Sequence, residues 1–214
     1  MKAVLDNDIL YKGTCFGLLP ALLAPYGGIH KGIGILGAAH FVVSRKIKRG
    51  NFSRGRGAVL VEFLLWTSGL TKLEPTETEQ TLAAEFESLA QRAGVNLDGG
   101  ESQLCAMVVE RVLPVLLTGD KRAIVAAERL FDSHHRLPGL SGKFRCLEQA
   151  ILDILETTGP VVVRKAICSE PRVDTALSIC FSCVSSDTGL DHISEGLNSY
   201  VGHLRAAASR VLGA

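Results

Sequence analysis

The chain has 214 residues, 47% of them hydrophobic and 21% charged. These are the proportions of a globular domain, and they exclude a disordered segment, a collagen-like repeat and a small disulfide-stapled scaffold. Lys and Arg number 23 against 22 Asp and Glu, a formal net charge of +1, so any case for a polyanionic partner rests on where the basic residues cluster.

The opening Met1-Lys2-Ala3-Val4-Leu5-Asp6 reaches an acid before any leader-like apolar stretch develops, so a cytoplasmic protein is expected. The most apolar tract, residues 16–43, is interrupted by Pro20, Pro25, His30 and Lys31. It lacks the run of about 20 apolar residues that a membrane span needs. Of the six cysteines, most lie in apolar runs, as small buried hydrophobes do. Cys180 and Cys183 form a C-x-x-C without the second pair that a zinc site requires.

In chain order, Lys2-Ala3-Val4-Leu5 reads as a buried strand that delivers Asp6 and Asp8 at its carboxyl end. A helix is expected over residues 9–23, then a Gly-rich connection through Gly27, Gly28, Gly32 and Gly34, then a second helix over 38–48. Residues 45–56 form the most basic segment, with Arg45, Lys46, Lys48, Arg49, Arg54 and Arg56. Residues 58–66 are apolar enough to be helix or strand. A helix capped by Thr76 or Thr78 should run to Ala93 and stop at Gly94. Asp98-Gly99-Gly100-Glu101 opens another, with Leu104, Met107, Val108 and Val112 on one face. Val115-Leu116-Leu117-Thr118 reads as a second buried strand ending at Asp120, followed by a helix over 121–131. Further helices are expected over 144–155, 174–183 and 193–212, the last with an apolar face suited to the core or to a homodimer contact.

Alternation of strand and helix predicts an α/β fold, a three-layer α/β/α sandwich with a central parallel sheet of about four or five strands. The Leu137-Pro138-Gly139 loop suggests a first domain over 1–132 and a mostly helical extension over 133–214. Chemistry in such sheets sits at the carboxyl ends of the strands. Asp6 (with Asp8), Glu101 and Asp120 are therefore expected to meet. Carboxylates brought together repel one another, and a divalent cation relieves that repulsion. Oxygen donors without His or Cys point to Mg²⁺ or Mn²⁺. Such an ion can activate water and clamp a phosphodiester.

Three stretches resemble the PIN-domain nucleases, a family that includes toxins of toxin-antitoxin pairs. They are Asp6-Asn7-Asp8-Ile9-Leu10 after the opening apolar run, Leu97-Asp98-Gly99-Gly100-Glu101-Ser102-Gln103-Leu104 at a helix start, and Val115-Leu116-Leu117-Thr118-Gly119-Asp120-Lys121-Arg122-Ala123. The resemblance covers residues 1–132. It implies that Asp6, Glu101 and Asp120 are catalytic, that these three and Asp8 hold Mg²⁺ or Mn²⁺, and that Thr118 and Asp98 support them. It also implies metal-dependent cleavage of single-stranded RNA, and an antitoxin-like protein as a partner. Residues 45–56 together with Lys121 would carry the RNA backbone. In one respect the chain departs from the family: the helix over 38–49 lacks the acid usual there, Ser44 and Arg45 standing near its place. Glu62 is a displaced substitute to consider.

Each acid also has a purely structural reading. Asp98 and Glu101 have the D-x-x-E spacing of a capping box, and Asp120 can cap the helix that follows it. Two other functions compete. One is a catalytically degenerate PIN-like module that binds RNA or protein. The other is a haloacid dehalogenase-like phosphatase, suggested by Asp6-x-Asp8 and opposed by Ile9, Leu10 and Ile124, where that chemistry wants other residue types.

Overall fold

The computed structural model describes residues 1–27, 32–184 and 190–214. Among them, five short strands form one parallel sheet: β1 (Ala3–Leu5), β2 (Ile33–Leu36), β3 (Thr71–Leu73), β4 (Leu116–Thr118) and β5 (Phe144–Cys146), in the order β3-β2-β1-β4-β5. β1 is central, with Val4 opposite Gly34 of β2 on one side and Leu116 of β4 on the other. Helices cover both faces, and the fold is the expected α/β/α sandwich.

Strand alternation divides the core between the faces. Ala3, Leu5, Ile33, Ile35 and Leu117 point to one side. There they meet α1 (Asn7–Cys15), α2 (Leu19–Leu23), α3 (Ala39–Arg49), α4 (Arg56–Thr67), α8 (Leu147–Thr158), α9 (Pro160–Ser169), α10 (Thr175–Cys180) and the first half of α11 (Leu190–Ala207). Val4, Leu36, Leu116, Phe144 and Cys146 point the other way, toward α5 (Glu77–Ala93), α6 (Gly99–Glu110) and α7 (Lys121–Leu130). Ile193 and Leu197 of α11 join the first core, Leu204 the second. The apolar face of this helix is thus intramolecular core. Beyond it the tail runs along β5: Phe144 N–H donates to Val211 O at 3.0 Å and Gly213 N–H to Phe144 O at 2.7 Å. This covers an edge that would otherwise be open to pairing with another strand.

Helix ends follow local chemistry. Thr76 caps α5 in a capping box with Glu79, and Gly94 ends it with φ of 64°, a left-handed conformation that favours glycine. Asp98 and Glu101 form the capping box of α6, and Asp120 caps α7.

Several sequence expectations are corrected. The helix over 9–23 is two helices, α1 and α2, parted by a turn at Gly17, where φ is 69°. Residues 33–36 and 71–73 are strands. The apolar run 58–66 lies within a helix. The helix expected to begin at 144 is preceded by β5, so the segment after 133 is mostly helical but also contributes a strand to the shared sheet. Val112 lies past the end of α6, exposed and with φ of 50°, and not on its buried face. Cys183 of the C-x-x-C is bonded to Cys168, while Cys180 is a free buried thiol. Among the described residues no helix is long and apolar enough to cross a membrane.

Candidate functional site: an acidic cleft at the carboxyl edge of the sheet

From β1 the chain moves outward to β2 and β3, then returns to the other flank for β4 and β5. The strand order therefore reverses between β1 and β4, the place where open parallel sheets bind ligands. A cleft of about 880 Å³ opens there. β1 delivers Asp6 to it, and the first turn of α1 delivers Asp8. The first turn of α6 brings Asp98 and Glu101, and the β4–α7 turn brings Gly119 and Asp120. The acids expected to meet thus line one cleft.

Thr118 lies buried beneath them. Its hydroxyl donates to Asp6 Oδ2 at 2.9 Å and accepts from Asp120 N–H at 3.0 Å, so one side chain fixes the ends of both central strands. At Gly119 a Cβ would collide with the Asp8 carboxylate, which explains why the turn carries glycine.

The site's electrostatics are divided. Burial pushes the Asp6 carboxyl up to about 6; the Thr118 hydroxyl opposes the shift and the Asp8 charge adds to it. Burial likewise pushes Glu101 up to about 8. Its bond to the Asp98 amide opposes this, and the charges of Asp98, Asp120 and Asp6 reinforce it. Asp120 behaves oppositely. Burial would raise it, but the Arg122 guanidinium at 2.7 Å and the Arg122 amide hold it below the ordinary carboxylate range. Across the cleft, an ion chain runs from Lys46 to Asp8 (3.4 Å), Asp8 to Lys12 (2.5 Å) and Lys12 to Asp174 (2.7 Å). Burial would lower the Lys12 ammonium, but the two carboxylates outweigh it and hold the group above its usual range.

Among the described residues, no group of three or more His, Cys, Asp or Glu is placed so that it could hold a metal ion. Three of the cleft acids already have partners. Glu101 accepts from the Asp98 amide at 2.9 Å, both oxygens of Asp120 accept from Arg122, and Asp8 lies between two lysines. The structural readings of Glu101 and Asp120 as caps are therefore realised in the same residues that line the cleft.

The basic residues do not act together. Lys46 and Lys121 line the cleft, whereas Arg45, Lys48, Arg49, Arg54 and Arg56 do not. Arg54 pairs with Glu62 at 2.6 Å and donates to the Thr14 and Cys15 carbonyls, a staple on the end of α1. Glu62 is thereby committed to Arg54, lies outside the cleft lining and does not replace the missing acid. The helix that lacks that acid, α3, instead contributes the cation Lys46. Phe52 is buried against Tyr11, leaving no ring for base stacking in the basic segment. His134 bonds Glu85 at 3.1 Å, away from the cleft.

Sequence reasoning missed Lys12 and Asp174. The i, i+4 spacing of Asp8 and Lys12 was a readable signal for their pair. Nothing in the linear order joins either residue to Asp174, which arrives as the cap of α10. No family model, curated protein or solved structure matches the chain. The likeness to PIN-domain nucleases rests on its three motifs.

Proposed function

We propose that the chain is a divalent-cation-dependent endoribonuclease that hydrolyses phosphodiester bonds in single-stranded RNA. One observation carries the reading: Asp6, Glu101 and Asp120, from three distant segments, face one cleft at the strand-order reversal, where burial and mutual repulsion make two of them costly to ionise. The donor set fits a hard cation, being carboxylates and a hydroxyl without His or Cys. Asp6, Glu101 and Asp120 would hold it with Asp8 in support, exchanging their present amide and guanidinium partners for it. When bound, the ion supplies Lewis acidity toward a phosphodiester and offsets the acids' repulsion.

The chain's own groups divide the remaining work. Lys46 and Lys121, which both line the cleft, hold phosphate oxygens. Arg122, released from Asp120, offers a forked donor to the same backbone. Thr118 keeps Asp6 oriented. Cleavage of a labelled single-stranded RNA in Mn²⁺, Mg²⁺ or EDTA tests the reading. Metal-dependent cutting that disappears in Asp6→Asn and Asp120→Asn supports it, and cutting that survives either change refutes the assignment of that acid.

A second reading has its own observation. An α3 that lacks the family's acid and sends Lys46 into the cleft, with the cleft acids already partnered, suits a degenerate cleft that binds RNA or protein without cutting. Salt-sensitive RNA binding without cleavage in any metal would favour it. The phosphatase alternative gains nothing, because Ile9, Leu10 and Ile124 are all buried in the core and provide packing only.

A further inference from the structure

Beyond Lys121 and Arg122 lies a second depression of about 400 Å³, between α7, the second half of α11 and the turn after α5. Both side chains line both hollows, so the two adjoin across the first turn of α7. Their chemistry differs sharply. The cleft is walled by acids, whereas no carboxylate lines the depression. Val125 and Leu204 form an apolar floor, and Arg129 and His203 stand exposed at the rim. Arg129 forms no ion pair among the described residues. Tyr200 is half-buried in the wall, with Lys121 Nζ 4.5 Å from its ring centroid. Lys121 is fixed at the boundary between the hollows by the buried Glu148 carboxylate, 2.5 Å away.

Lys121 is paired with Glu148 and Arg122 with Asp120, so Arg129 is the cation here left without an acid among the described residues, and it calls for an anionic ligand. An apolar floor beside a tyrosine ring calls for a flat, weakly polar body. A nucleotide combines the two, and the volume falls in the range of small-ligand sites, about 300–1,000 Å³. A base can enter only if unpaired, which is how proteins stack single-stranded RNA on aromatic rings.

We propose that the depression between α7 and α11 seats one nucleotide of a single-stranded RNA, its base against Tyr200, Val125 and Leu204 and its phosphates at Lys121, Arg122 and Arg129. This rests on the ribonuclease reading and gives the strand a path, from the acids over the first turn of α7 toward α11.

The test is fluorescence anisotropy with an end-labelled single-stranded RNA of about eight nucleotides, in EDTA across a salt series, beside cleavage of the same RNA in Mn²⁺. Arg129→Glu and His203→Glu alter exposed positions and should leave folding intact. Each is expected to weaken binding about tenfold, and Arg129→Glu to reduce the slope of log affinity against log salt by about 0.7, the loss of one phosphate contact on a single strand. Tyr200→Leu is expected to weaken binding about fivefold or more by removing the ring. The same sequence in a duplex should bind more weakly than the single strand. Unchanged affinity and salt slope in Arg129→Glu and Tyr200→Leu overturn the seat, and if metal-dependent cleavage persists in them the ribonuclease reading still stands. Binding that depends on Arg129 without any cleavage upholds the seat and removes the ribonuclease.

Discussion

Asp6 offers a direct test of the cleft's electrostatics, because replacing it should stabilise the protein. It is 9% exposed, and its carboxyl is pushed up to about 6 from an ordinary 3.8. Between those values the folded chain binds a proton that the unfolded chain has lost, so stability falls as pH rises through that window and the loss is complete above about pH 6. An offset of about two pH units corresponds to about 3 kcal/mol. Asp6→Asn removes the charge and keeps an oxygen for the Thr118 hydroxyl. Without divalent cations at pH 8 the variant should exceed the parent by about 1–3 kcal/mol, and near pH 3.5 the two should coincide. For a chain of this size that is a rise in melting temperature of about 3–10 °C. Urea denaturation monitored by circular dichroism across pH 3.5 to 8 measures it. An Asn variant equal to or less stable than the parent at pH 8 would refute the claim that Asp6 is held against its own ionisation.

Four further outcomes are expected. Thr118→Val leaves the Asp120 amide without its partner and removes the bond that opposes the rise of Asp6; it should cost about 1–3 kcal/mol by denaturation and move the pH window upward. Glu101→Gln keeps an acceptor for the Asp98 amide and removes a carboxyl pushed up to about 8, so its melting temperature should match the parent's near pH 4 and exceed it increasingly as pH rises toward 8, while metal-dependent cleavage is lost; Asp98→Ala, by contrast, should cost about 1 kcal/mol through the cap alone. The Cys168–Cys183 bond closes a loop of sequence separation 15, so Cys168→Ser or a reductant should lower stability by about 3 kcal/mol in the same assay.

What the sequence made legible follows from local physics. β1 and β4 could be read because each is an apolar run stopped by an acid, and the caps at Thr76, Gly94 and Asp98 because capping needs only near neighbours. β2 was hidden: all of Ile33-Gly34-Ile35-Leu36 is buried, so it shows no alternation, and the glycines around it read as a connection. β3 is a short edge strand whose Thr71 and Lys72 are exposed. Phe144 and Cys146 of β5 run straight into α8, whose apolar spacing absorbed them. In the cleft the acids were nameable one by one, yet their partners were not. Arg122 on Asp120 is a contact two residues apart at the cap of α7, whereas Asp174 on Lys12 depends on how α10 docks. The basic segment misled because charge density says nothing about direction: Arg54 turns inward to α1 and Glu62, while Lys46 alone of that run lines the cleft.

The most direct test of the central claim is a calorimetric titration of the full chain with Mn²⁺ at pH 7 in two buffers of different ionisation enthalpy, repeated on Asp6→Asn. It is independent of which RNA sequence the cleft prefers. With Glu101 pushed up to about 8 and Asp6 to about 6, cation uptake must expel protons held mainly by Glu101. The account predicts one saturable site that releases about one proton and is lost in Asp6→Asn. No saturable uptake, or uptake indifferent to Asp6→Asn, would contradict it and leave the acids as caps and ion-pair partners.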